Sequence, residues 1–150
     1  MKFEYHLVVA APHDRVWEIL EDIPRAAQLM PGVDSVEPYE ECSYKCTLRI
    51  RIGPMGFNLS GVIGVDTDRG SGKWSIKAQA QDTRIGGGVV STMETAIIAS
   101  STGTTEINIK ADVQFSGRLG QLGQPLIKKK ADSMVREFTE NLENAVMGVR

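Results

Sequence analysis

Two cysteines in 150 residues are too few for a disulfide framework, so an ordinary core must hold this chain together. Long apolar runs are missing too. No stretch approaches the ~18 unbroken apolar residues of a membrane span, and Met1-Lys2-Phe3-Glu4 opens no signal peptide. Neither sign of charge dominates: 17 Lys and Arg against 19 Asp and Glu give a formal net charge of −2. That balance excludes the basic footprint of a nucleic-acid binder. Histidine is scarce. Cys42 and Cys46 stand four apart, and zinc would need further ligands from His6 and His13 in a different element. The reading is two small thiols in a reducing compartment, with no metal and no cofactor.

What the chain does have is an average apolar share, 41%, which excludes disorder. Repeats, linkers and composition breaks are absent, so residues 1–150 are read as a single soluble, cytoplasmic domain. The run Phe3 to Ala10 mixes aromatic and β-branched residues and is read as a strand. Pro12 falls where a helix starts, and Val16, Ile19, Leu20 and Ile23 recur at helical spacing. Pro24 opens a second short helix that Pro31-Gly32 closes near Met30.

Further on, the period falls to two. Tyr44, Cys46, Leu48, Ile50 and Ile52 alternate with Lys45, Thr47, Arg49 and Arg51, the mark of a sheet with one dry face. After the Gly53-Pro54-Met55-Gly56 turn, Phe57, Leu59, Gly61, Ile63 and Val65 continue on one side. Trp74, Ile76, Ala78 and Ala80 follow the turn at Asp68 to Gly72. A less regular strand carrying Met93 runs from Gly86-Gly87-Gly88 to about Ala99. A hairpin at Ser101-Thr102-Gly103-Thr104 then leads to Ile107, Ile109, Ala111, Val113 and Phe115. Short turns between consecutive strands predict an antiparallel meander. The tail returns to helical period, with Leu126, Ile127, Ala131, Met134, Val135, Phe138, Leu142, Ala145 and Val146 forming one broad stripe. This helix is predicted from near Pro125 to about Met147, and Asp132 is expected to pair with Arg136 on its wet face.

One sheet with a continuous apolar face and one long helix imply a twisted sheet curled around the helix. Such a curl leaves room between the two layers, where apolar ligands bind. The predicted lining is Leu48, Ile50, Phe57, Leu59, Ile63, Trp74, Ile76 and Met93, with Ile107 and Ile109 from the last strand and Met134 and Phe138 from the helix. Gly61, Ala78, Ala80 and Ala111 are small residues on the same face, and are expected to thin it and leave space. Catalytic groups do not converge there. Tyr44, Ser91 and Thr95 are the best polar candidates, and no His, Asp or Glu clearly alternates inward to serve as their base, so no catalytic residue is assigned. The triple glycine is read as a flexible turn, with a gate over the cavity as the alternative. Lys128-Lys129-Lys130 fans around the helix; it is read as a solvated face, or as a contact with anionic lipid or an acidic partner.

The order of elements and several blocks of residues resemble a known family. These blocks are Val16-Trp17 with Leu20 and Asp22, Met30-Pro31-Gly32-Val33, Ile52-Gly53-Pro54 with Phe57 and Gly61, and Gly103-Thr104. The most specific is Gly117-Arg118-Leu119-Gly120-Gln121-Leu122-Gly123-Gln124 leading into Leu126-Ile127, with Phe138 downstream. Together they resemble the CoxG family of carbon monoxide dehydrogenase, although Gly120 stands where the family more often has Ala. The resemblance implies an α+β helix-grip fold of the START/Bet v 1-like kind. Its parts are a curved antiparallel sheet of six to seven strands, two short helices after strand 1 and a long C-terminal helix. It further implies a non-catalytic accessory protein for a molybdenum hydroxylase of the carbon monoxide dehydrogenase type, binding an apolar ligand such as a quinone or isoprenoid-like lipid. An assembly or membrane-recruitment factor is the alternative reading, and a cyclase or hydrolase a third. Many members carry an extra C-terminal segment, whereas this sequence ends at Arg150 after the helix, so transient contact at the cytoplasmic face of a membrane is expected rather than residence.

Overall fold

The computed structural model describes residues 1–101 and 103–148. In chain order the elements are β1 (Lys2–Val9), α1 (His13–Glu21), α2 (Ile23–Gln28), β2 (Val33–Pro38), β3 (Ser43–Ile52), β4 (Met55–Asp68), β5 (Lys73–Gln81), β6 (Gly88–Ser101), β7 (Thr104–Ser116), α3 (Gly117–Gly120) and α4 (Gln124–Val146). The seven strands form one sheet in the order β1-β7-β6-β5-β4-β3-β2, with every pair antiparallel. The predicted α+β helix-grip arrangement is the one observed. Two details differ from the sequence reading: β2 is too short and too polar to be read from its period, and a single helical turn, α3, precedes α4. Of the predicted late hairpin turn, Thr102 lies outside the described residues, as do Val149 and Arg150.

Local chemistry accounts for the element ends. The Asp22 side chain accepts from the Arg25 N–H at the start of α2, and Pro24 occupies that helix's first turn, where its missing donor is harmless. Pro125 does the same for α4. The 23 residues of α4 span about 35 Å at ~1.5 Å per residue, long enough to cross the whole sheet.

Several side-chain bonds tie α4 to the start of the chain. Glu143 Oε2 accepts from Ala10 N–H at 2.7 Å, Asn141 Nδ2 donates to the Leu29 carbonyl at 2.9 Å, and the Tyr5 hydroxyl donates to Asp132 at 2.7 Å. The expected Asp132–Arg136 pair is not the one formed. Asp132 is half-buried against β1 rather than on the wet face, and its ion pair is with Lys128 at 3.2 Å. A carboxylate at that depth takes the partners that reach it, and Tyr5 comes from the sheet, not from the helix.

Gly61 also has a different role from the one expected. Rather than leaving space, it admits the neighbouring backbone: a Cβ there would lie 1.8 Å from the Gln79 carbonyl oxygen and 2.6 Å from Ala80 Cα. The tight approach of β4 to β5 at this point belongs to the sheet's curl. Gly61→Ala is therefore expected to lower unfolding stability in urea by about 3 kcal/mol or more, through forced backbone displacement. Gly64→Ala is the control. Its Cβ would meet nothing closer than 4.0 Å, and a change within about 1 kcal/mol is expected.

Candidate functional site

The concave face does not form one continuous core. At one end, α1 and the C-terminal half of α4 close over the sheet, burying Val16, Trp17, Leu20, Trp74, Ile97, Ile107, Leu142 and Val146 together. At the other end, Ile52, Phe57, Leu59 and Leu119 make a separate buried cluster, with Leu126 of α4 packed against it. The helix is thus anchored near Ile127 and again at Leu142, 15 residues or about 22 Å apart. Between the anchors its inward stripe, Ala131, Met134 and Phe138, retains access to solvent.

The sheet matches this on its own side. Ile63, Ala78, Ser91 and Val113 face one another across β4, β5, β6 and β7, and Met93 is opposite Ala111 in the next row. All six are half-buried, although they share a face with fully buried neighbours. These side chains lie on the α4-facing side of the sheet and stay partly accessible, forming a half-buried band between the two packed ends.

The predicted lining residues divide accordingly. Phe57, Leu59, Trp74 and Ile107 are locked into the two packed ends. Leu48 and Ile50 border one end, and Ile63, Ile76, Met93, Ile109 and Phe138 border the other. Ala78, Ala111 and Met134 belong to neither cluster and are half-buried between them.

Polar groups on this face are sparse. Tyr44 and Ser91 are half-buried, Thr95 is buried, and His6 is exposed on the outer side beside Asn108 and Glu106. Among the described residues no three His, Cys, Asp or Glu side chains gather as a metal site would require. Cys42 is exposed in the β2–β3 turn, and burial raises the Cys46 thiol above its ordinary range. Sequence reasoning did not anticipate that the Trp74 Nε1–H and the Thr95 hydroxyl are both buried without a hydrogen-bond partner. Each such group costs about 1–3 kcal/mol when left unsatisfied.

Two further features lie outside this band. A groove of about 340 Å³ runs between β1 and α4, lined by Tyr5, Leu7, Asp132, Val135 and Arg136 among others. Burial first, and then the bond to Asp132, pushes the Tyr5 phenol well above its usual range; the same bond, with Lys128, holds Asp132 low. Lys128 is thereby engaged, while Lys129 is exposed and Lys130 half-buried. A second pocket, of about 520 Å³, is lined mainly by Asn58, Ser60, Gln79 and Gln81, which alternate away from α4, together with Asp82 and Arg84. The triple glycine after it is a turn, as expected, but a pinned one. The Asp82 carboxylate accepts from the N–H groups of Asn58, Arg84 and Ile85 at 2.8–3.1 Å, and Asp82 N–H donates to the Gly87 carbonyl. An Asp directly after a strand and shortly before a glycine run is a signal for such a turn.

The strand order and the long covering helix define a START/Bet v 1-like helix-grip fold. The family model of the carbon monoxide dehydrogenase G subunit (CoxG) matches residues 6–147, and the chain belongs to that family. A family of enzyme subunits agrees with the accessory, non-catalytic character expected from the sequence. No curated protein matches the sequence. Solved structures share the fold at low identity. A conserved protein from Geobacillus kaustophilus superposes with a TM-score of 0.89 at 16% identity, covering 99% of this chain and 96% of that one. The Zhui aromatase/cyclase from Streptomyces follows at 0.69 and 16%, covering 98% and 93%. A START superfamily protein from Mycobacterium smegmatis superposes at 0.66 and 15%, covering 98% and 97%. Among the described residues no helix is long and apolar enough to cross a membrane.

The pinned turn has a pH signature. Bonds from Asn58 and Ile85 hold the Asp82 carboxyl below the ordinary carboxylate range against the opposing effect of burial. A depressed folded pKa stabilises above the unfolded value of roughly 3.9, and that contribution is lost as pH falls through the folded value. Asp82→Asn is expected to lower the urea midpoint near neutral pH, with the gap to the parent narrowing under acid conditions.

Proposed function

We propose that the space between the sheet and α4 takes up an apolar small molecule, a quinone or other isoprenoid-like lipid. The observation that supports this is the separation of the core into two sealed ends, with Ala78, Ala111 and Met134 lying half-buried between them. A helix packed for stability alone would bury its mid-stripe; this one leaves Ala131 to Phe138 accessible, about 10 Å of helix between anchors about 22 Å apart. Affinity comes from apolar burial, and each 100 Å² of ligand surface removed from water contributes about 2.5 kcal/mol. The protein then serves as an accessory that presents this ligand to a molybdenum hydroxylase of the carbon monoxide dehydrogenase type, a reading that rests on its family. Collection of the ligand involves transient contact with the cytoplasmic face of a membrane, where Lys129 and its neighbours contribute roughly 1 kcal/mol each.

Native mass spectrometry of the protein purified from its own host tests the reading, with a co-purifying quinone or isoprenoid lipid as the expected result. An empty protein that captures a hydroxylase would instead favour an assembly role, and turnover of a bound polyketide a cyclase. Filling the band with Ala78→Leu and Ala111→Leu together is expected to reduce uptake at least tenfold while leaving the circular dichroism spectrum unchanged. Undiminished uptake by the double variant would remove these residues from the site.

A further inference from the structure

Trp74 and Thr95 stand directly opposite one another on β5 and β6. Both belong to the face that looks toward α4, and both are more than nine-tenths buried. Neither the indole Nε1 nor the hydroxyl Oγ1 has a hydrogen-bond partner. Buried polar side chains nearly always find partners, so two orphans side by side on neighbouring strands call for an explanation. A sealed core would carry Phe and Val at these positions without penalty.

The chemistry of the pair restricts what can satisfy it. An indole N–H only donates, so its partner must present a lone pair, and the hydroxyl of the facing Thr residue is a second available donor. Around them are Val65, Ile97, Ile107 and Leu142, and the only other buried polar side chains among the described residues are Asp82 and Thr105. Thr105 already donates to the Ala11 carbonyl, and the Asp82 carboxylate accepts from three N–H groups. With no Lys or Arg buried nearby, a carboxylate or phosphate would be left uncompensated. What remains is a neutral acceptor, and a carbonyl oxygen with two lone pairs accommodates both donors.

The pair is also within reach of the half-buried band. From Trp74 to Ala78 is four residues along β5, or about 13 Å. The intervening row holds Ile76 opposite Met93, and Phe138 packs on the same cluster from α4. Met93 is unbranched and both side chains are half-buried, so these two can turn aside to admit a ring.

We propose that Trp74 Nε1–H and the Thr95 hydroxyl form a polar anchor for a carbonyl oxygen of the ligand. The headgroup sits at the α1 end of the space, and the apolar tail lies along Ala78, Ala111 and Met134. This assignment rests on the apolar-ligand reading above and adds the direction of binding and the chemical class of the headgroup.

The probes are a farnesyl-bearing naphthoquinone and the corresponding farnesyl naphthalene, which lacks both carbonyls. The parent protein is expected to prefer the quinone by at least tenfold. Thr95→Val, which preserves shape, and Trp74→Phe are each expected to remove about tenfold of that preference, to leave naphthalene affinity unchanged, and not to lower thermal stability without ligand. The bound quinone's infrared carbonyl stretch is expected at lower frequency than in hydrocarbon solvent, returning toward the solvent value in Thr95→Val. A quinone preference and carbonyl stretch unchanged in both variants would overturn the anchor while leaving the apolar site standing, as would equal affinity of the parent for the two probes. A parent protein that binds neither probe would overturn the apolar site and the anchor with it.

Discussion

A single helix has to cover a seven-stranded sheet, and α4 meets the requirement by being fixed at its ends instead of along its length. Near Ile127 it packs beside the Ile52–Phe57–Leu119 cluster, and near Leu142 it joins α1 and the Trp17 cluster. Both anchors bury large apolar side chains, so the sheet between them can curl without touching the helix everywhere. The half-buried band between them follows from geometry: a curved surface and a straight rod meet at two places. Small side chains such as Ala78 and Ala111 fall within that band.

Polarity is rationed in the same way. Hydrogen-bonding groups that stabilise the fold are satisfied within the chain, as with buried Asp82 at the β5–β6 turn, Tyr5 with Asp132 at the β1 edge, and buried Thr105 on the Ala11 carbonyl. Facing the interior, Trp74 and Thr95 carry polar atoms left without partners. Among the described residues the other buried polar side chains, Asp82 and Thr105, are hydrogen-bonded, which sets this adjacent pair apart.

Much of the fold was legible because its signals are periodic. Alternation through Tyr44 to Ile52 and Ile107 to Phe115, and the 3.6-residue stripe from Leu126 to Val146, survive into the structure as β3, β7 and α4. β2 was not legible, since six residues with two acidic side chains and a proline carry too little pattern. Phase assigned the predicted lining residues to one side of the sheet but could not tell which of them would be fully buried and which half-buried. That distinction depends on how far α4 stands off the sheet, a long-range quantity that no local spacing encodes. Gly61 misled for a related reason: a missing side chain reads as empty space, but here another strand's backbone fills it. The Asp132 partner was missed because Tyr5 lies 127 residues away in sequence.

The strand order has a consequence for how the molecule comes into being. From β2 to β7 every strand lies beside its predecessor, so those pairings form through short loops. The exception is β1, whose partner is β7, with Lys2 opposite Asp112 and Val9 opposite Thr105. Bringing these together means closing a loop of roughly a hundred residues before any reward is collected, and α4 can dock on α1 only once the sheet has curled. The meander is the fast part of folding and the β1–β7 closure the slow one. Until that closure, the concave face is an uncovered apolar surface, and the time spent there sets the chain's exposure to aggregation.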